Sequence, residues 1–205
     1  MKAEQSTEQL ILEAAMAEFL EKGYALSKTT DIAKAAGVTH AMFHYYFRTK
    51  ENLFNKVFQE KVHFIAETFI SKFDDNRPFT EQIKNGVEYH FDILYKNRKL
   101  PIFIINEIFA NEERRETCRE IFLPVIQKEL GKLQSRIDKE VALGTIRKVS
   151  AIDLFMSIIS LNVFVIIAMP VLQILTVNNE DFELFLQKRK KENVEVILSR
   201  LFVHQ

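Results

Sequence analysis

Apolar residues recur every three to four positions along most of the chain, the spacing that one face of an α-helix requires. Ile11, Ala15 and Phe19 begin the pattern behind Ser6-x-x-Gln9, a capping box, and Gly23 supplies a stop. Two short helical segments then flank Gly37. Thr49 stands as the N-cap of a long helix with the stripe Phe54, Phe58, Val62, Ile65, Phe69 and Phe73. Asp74-Asp75-Asn76-Arg77-Pro78 breaks this pattern and restarts it, with Pro78 suited to a first helical turn.

Another helix is predicted over residues 79–97, and Pro101 opens a shorter one with Ile102, Ile105 and Phe109. The stripe Ile126, Leu130, Leu133, Ile137 and Val141 ends at Gly144, and Pro124 should start or kink that helix. Ser150-x-x-Asp153 is a second capping box. It opens an uncharged helix that Pro170 interrupts. The last helix carries Phe182, Phe185 and Leu186, then Val194, Ile197, Leu198, Leu201 and Phe202. About nine helices and no convincing strand emerge, so the predicted fold is all-α.

Composition agrees. Five Gly and four Pro in 205 residues leave few breakers, and 47% hydrophobic with 27% charged residues implies a packed core. No solenoid-period repeat is present. The single cysteine, Cys118, excludes an intramolecular disulfide and suits a reducing, cytoplasmic location. The N-terminus, with Glu4 and Glu8, lacks the basic and apolar regions of a secretory signal. Leu154–Asn179 is 26 residues without a charge, long enough to span a bilayer. It contains Ser157, Ser160, Asn162, Pro170, Gln173 and Thr176, and Asp153 and Glu180 flank it without a basic anchor. Those features favour a buried interface helix over a membrane span.

The formal net charge is zero, so overall charge does not point to nucleic acid. Its distribution is more informative. Five of the six acids in residues 1–50 lie within Glu4–Glu21, whereas Lys28–Lys50 carries Lys28, Lys34, Arg48 and Lys50 against Asp31 alone. A local positive face is therefore possible.

That same stretch meets the mechanical demands of a helix-turn-helix. Two closely crossing helices need a small contact residue, which Ala33 supplies, and a turn tolerant of positive φ, which Gly37 supplies. Ile32, Ala36, Val38, Phe43 and Tyr46 fall on inward positions. The string TTDIAKAAGVTHAMFHYYFRTKENLF, residues 29–54, with Phe19 and Gly23 upstream, resembles the signature of the tetracycline-repressor (TetR) family. Ile32-Ala33, Ala36-Gly37-Val38, Tyr45-Tyr46-Phe47 and Lys50-Glu51-x-Leu53 keep that family's order and spacing. The close match covers roughly residues 8–54; beyond it only helix number and hydrophobic pattern agree.

The resemblance implies residues 1–50 as a three-helix DNA-binding domain and 51–205 as a helical ligand-binding and dimerisation domain. Thr29 would cap the first motif helix and, with Lys28 and Thr30, meet a backbone phosphate. Thr39 would cap the recognition helix, exposing His40, Ala41 and His44 to base edges. Tyr45 and Lys50 match positions that meet phosphates in the family, and Phe43 and Tyr46 are core supports. His40 and His44 depart from the family's frequent Lys or Gln and Tyr, which leaves base preference unreadable.

Those histidines stand at i and i+4, but Ala41 occupies the place where a zinc protease helix carries Glu. No metal, cofactor or enzymatic constellation is expected. In the C-terminal part, Phe91, Phe103, Phe109, Phe122, Phe155 and Phe164 lie on helices that, by resemblance, surround a ligand cavity, though each also fits an ordinary core. Asn106, Asn162, His63, His90 and Gln173 could orient a small apolar effector. The last two helices would form a homodimer interface, with Asn162 fixing its register. Lys188-Arg189-Lys190-Lys191 is surrounded by acids and reads as a solvated face.

A dimer would set two recognition helices roughly 34–36 Å apart on a pseudo-palindromic double-stranded operator. The expected function is repression relieved by the effector, with the helix after Thr49 as the lever. Protonated imidazoles at His40 or His44 would attract phosphate. DNA affinity should therefore rise as pH falls from about 8 to about 6, where an ordinary histidine gains its proton. An affinity that stays level in that titration removes the idea.

Overall fold

The hydroxyl of Ser6 accepts a hydrogen bond from the Gln9 amide at 3.2 Å, starting the first helix where the sequence placed it. The Gln9 side chain turns instead to Glu13, so only half of the capping box forms. The computed structural model describes residues 6–68, 77–175 and 178–202. The helices are α1 Thr7–Leu26, α2 Thr29–Ala35, α3 His40–Phe47, α4 Lys50–Thr68, α5 Phe79–Lys96, α6 Leu100–Ala110, α7 Glu112–Ala142, α8 Ala151–Ile167, α9 Met169–Leu172 and α10 Asn179–Leu201. A 3-10 turn, Gln173–Leu175, follows α9. The fold is all-α, with ten α-helices among the described residues.

Side-chain caps open several helices. Thr49, Ser150 and Asn178 each accept from the amide three residues ahead, opening α4, α8 and α10. Gly23 (φ 72°) kinks α1 without ending it. Phe69, Phe73, the Asp74–Asn76 break and Thr176 lie outside the described residues.

Two expectations need correction. Pro124 does not start a helix but lies inside the 31-residue α7, the place for a kink. It is exposed, as is Glu120, whose carbonyl loses its helical donor there and can turn to water. On α6 the expected stripe Ile102, Ile105 and Phe109 is not the buried one: Ile102 and Phe109 are exposed, and Leu100, Phe103 and Ile104 are buried. This helix is apolar on several faces, so periodicity could not choose among them.

Packing divides the chain into two compact units, Met1–Phe64 with Phe103–Arg119 and Ile65–Ile102 with Glu120–Gln205. The expected division at residue 50 concerns function, whereas these units follow contacts. In the first, α1 packs on α2 and α2 on α3. Phe54 meets Phe19 at 4.8 Å and Phe103 at 5.7 Å between ring centroids.

In the second unit α5, α8 and α10 pack against one another. Ile83 and Val87, Ile137, Leu154, and Ile197 and Leu201 bring α5, α7, α8 and α10 into one apolar cluster. No single described helix is long and apolar enough to cross a membrane. Ala151–Ile167 and Met169–Leu175 meet that test only jointly and are bent by 62° at their break.

A buried polar chain crosses this unit. The fully buried Asn162 donates to the Val87 carbonyl at 3.0 Å and to His90 Nδ1 at 3.1 Å. Its oxygen accepts from Asn193, whose own oxygen accepts from Arg189. Asn162 thus fixes α8 against α5 and α10 within one chain, which corrects its expected role in dimer register. Burial pushes the His90 imidazole down to about 4.

An unfolded chain protonates this histidine near about 6.5. Between the two values the unfolded state binds more protons, so stability falls as pH falls from about 6.5 to about 4. The full loss is roughly 3 kcal/mol. Urea midpoints for the native protein and a His90→Gln variant should converge as pH drops from 7 to 5. Parallel pH dependences for the two proteins would remove His90 as the source.

Candidate nucleic-acid interface

The α2–α3 pair begins at Lys28, the N-cap of α2, which makes no side-chain capping bond. The expected cap, Thr29, is instead the first helical residue, and its hydroxyl lies 3.0 Å from His40 Nε2. Gly37 turns the chain at φ 69°, and the amides of Gly37 and Val38 return to the Lys34 and Ala33 carbonyls. A side chain at that φ would strain the backbone by about 1–2 kcal/mol. Ala33 is buried at the crossing, as its size suggested.

Thr39 caps α3 by accepting from the Met42 amide at 3.2 Å. The buried face of α3 is Phe43 and Phe47, one helical turn apart. Tyr46, expected as a core support, is 40% exposed. A helix of eight residues shows the body a narrow face, and Phe47 takes the second anchoring position. Ala36 and Val38 are half-buried.

His40, Ala41, Met42, His44 and Tyr45 are exposed, with Tyr45 at 81%. The two imidazoles meet edge to face at 4.4 Å between centroids. His44 Nδ1 lies 2.8 Å from the Arg48 carbonyl. Because that oxygen only accepts, Nδ1 carries the proton and Nε2 is left as the ring's acceptor. Arg48 ends α3 at φ 59°, which is unusual for a residue with a side chain, and the His44 bond holds it there. No local sequence signal marks this bend, because neither glycine nor asparagine occupies it.

Lys28, Thr30, Lys34 and Arg48 are exposed and Thr29 is half-buried. Asp31, the one acid in residues 28–50, lies 3.7 Å from Lys22, which offsets part of its charge. Three exposed cations, Lys28 and Lys34 at the two ends of α2 and Arg48 at the end of α3, thus give the motif net positive charge. Lys50 departs from its expected phosphate role: its ammonium donates to the Tyr24 and Ser27 carbonyls at 2.7 and 3.0 Å and lies 4.3 Å from the Tyr24 ring centre. It is a strut inside the module.

The residues expected to line an effector cavity are divided between the two compact units. Phe103 is buried in the first unit against Phe54 and Phe58, whereas Phe91 packs in the second with Val165, Phe182 and Leu186. Asn106 and Phe109 are exposed, Phe122 and Phe155 are half-buried, and Phe164 is exposed. Asn162 is committed to the buried polar chain. Neither described cavity is lined by any of these residues. No cluster of three or more potential metal ligands occurs among the described residues.

Residues 11–57 match the profile of the bacterial regulatory proteins, tetR family. The fatty acid metabolism regulator protein of Bacillus subtilis is 29% identical over 122 residues, 59% of this chain and 63% of that protein. The HTH-type transcriptional regulator AcrR of Shigella flexneri is 28% identical over 117 residues, 57% of this chain and 48% of that protein. The matches thus span less than two thirds of these relatives' lengths. Among solved structures, the transcriptional regulator FadR of Bacillus subtilis in complex with stearoyl-CoA superposes with a TM-score of 0.65. That pair is 21% identical, and the superposition covers 95% of this chain and 98% of FadR.

Fold and site together define an all-helical protein built on an N-terminal helix-turn-helix. Over residues 11–57 the chain is therefore similar to regulators of the TetR family. That family and these relatives are transcriptional regulators rather than enzymes.

Proposed function

We propose that this protein is a cytoplasmic, homodimeric repressor that binds a pseudo-palindromic operator and leaves it when a ligand bearing an apolar chain binds. The observation that carries the DNA reading is the outward face of α3, which offers His40, Ala41, His44 and Tyr45 in a motif whose Lys28, Lys34 and Arg48 are also exposed. Tyr45 is an amphipathic reader of backbone or base, and His44 Nε2 is an acceptor for an exocyclic amine. Thr29 and Thr30, in the first turn of α2, suit a phosphate. In this reading residues 1–50 contact DNA and 51–205 carry ligand binding and pairing.

Pairing through α8 and α10 is supported by a groove of about 510 Å³ whose walls include Met156, Ser160, Leu161, Val196 and Arg200. Ile152, Met156 and Val196 are exposed large apolar residues on these two helices, and a second copy of the same face would cover them. For the ligand, the fatty acid metabolism regulator among the relatives and the stearoyl-CoA in one structural neighbour support an acyl chain carried on coenzyme A. α4 begins in the first compact unit and ends in the second, so it is the proposed lever.

The test is selection of bound fragments from genomic DNA, followed by titration of a selected fragment with and without stearoyl-CoA. Enrichment of a two-fold symmetric site is expected, with affinity falling about 5–150-fold on adding ligand. Failure to enrich any site would sink the DNA reading; an affinity indifferent to acyl-CoA would remove the effector part alone. Sedimentation should give a dimer for the native protein and a monomer for Val196→Arg. A dimeric Val196→Arg would move the pairing surface elsewhere.

A further inference from the structure

Arg114 on α7 is buried, with a side chain only 8% exposed, and no sequence signal marked it. Everything it touches lies in the compact unit Met1–Phe64 with Phe103–Arg119. One terminal nitrogen donates to Glu107 of α6, and the other donates to Glu51 of α4 at 3.0 Å. The guanidinium carbon lies 4.2 Å from the centre of the Phe54 ring and 5.0 Å from that of Tyr24.

The same partners hold each other. The Tyr24 hydroxyl donates to Glu51, and that bond, together with burial, pushes the phenol up to about 12. Lys50, next to Glu51, donates to the Tyr24 and Ser27 carbonyls. Tyr24 and Ser27 precede α2, while Lys50 and Glu51 follow α3. The segment 28–49 is therefore a loop of chain tied at both ends, and Arg114 lies over the tie.

Stability alone is a poor account of this node. A buried ion pair often contributes little net stability compared with an apolar residue of similar size, although it specifies geometry closely. Arg114 Nε is also buried without an acceptor among the described residues, beside a cavity of about 40 Å³. Packing would be met as well by an unbranched apolar chain. Direction would not: only a planar, charged fork joins two carboxylates while stacking on two rings.

We infer that Arg114 is a positioning residue for DNA recognition: it clamps the two ends of the helix-turn-helix segment through Glu51 and Tyr24 and so sets the pose of α2 and α3. Arg114 touches no base or phosphate in this assignment. The inference rests on the proposed DNA reading for its effect on binding, whereas the clamp itself can be observed without DNA.

The experiment compares native protein with Arg114→Met, which keeps an apolar stem against the rings, and with Glu51→Gln, which keeps shape but removes a charge. Helix content and thermal midpoint are measured first. Amide hydrogen exchange is then followed at residues 29–47 in the free protein. In Arg114→Met these amides should exchange about tenfold faster, the order expected on losing a charge-assisted bond, while α8 and α10 amides keep their rates.

Affinity for a selected operator should fall by about the same factor. The slope of log affinity against log salt should stay constant, because no phosphate contact is lost. Should Arg114→Met fail to fold, Glu51→Gln carries the same exchange and binding measurements, with smaller effects in the same direction. Unchanged exchange at residues 29–47 overturns the clamp. A salt slope smaller by about 0.9, the loss of one neutralised phosphate, overturns it as well by making Arg114 a direct contact. If native protein binds no DNA but exchange rises as expected, the DNA reading fails and the clamp stands.

Discussion

An eight-residue helix in water does not persist by its own hydrogen bonds, because nucleation costs more than so few bonds return. α3 is such a helix, and what holds it is the burial of Phe43 and Phe47. Each buried ring contributes roughly 1.5–3 kcal/mol of transfer free energy, enough to offset that deficit. Because both rings lie on one face, the opposite face is set as well. His40, Ala41, His44 and Tyr45 face solvent as a direct consequence of where two phenyl rings go.

The turn on one side and the bend on the other complete this arrangement by different means. Gly37 reaches positive φ because it has no side chain to obstruct it. Arg48 reaches it against a steric cost, and His44 spends one ring nitrogen on its carbonyl. A residue on the outward face of α3 therefore also shapes the backbone that presents it. Lys50 and Tyr24 then close the module behind, through carbonyls and a ring rather than through an ordinary apolar core.

The second compact unit solves a different problem. α8 is apolar around most of its circumference, and such a helix needs neighbours on several sides. α5 and α10 cover part of it, with Asn162 fixing the crossing by three hydrogen bonds in a site with no access to water. A buried amide is costly unless every group is paired, so its partners specify one packing among the many that interchangeable Ile, Leu and Val contacts would allow. What α5 and α10 leave uncovered is the groove beside Met156 and Val196.

Local signals in the chain were sufficient for four caps: Ser6, Thr39, Thr49 and Ser150 each start a helix through a bond to an amide three residues on, which needs no distant partner. Gly37 and Ala33 were legible for the same reason, since a turn and a close crossing impose demands within a few residues. Which face of α6 is buried, whether Phe47 or Tyr46 anchors α3, and where Lys50 and Asn162 direct their polar atoms depended on groups remote in the chain. The Arg114 node joins residues 24, 51, 54, 107 and 114, and no periodicity links such positions. Sequence by itself determined what is settled within a helical turn or two; tertiary structure decided every choice between equally apolar faces and every long side chain's partner, because those depend on what the fold brings within a few ångströms.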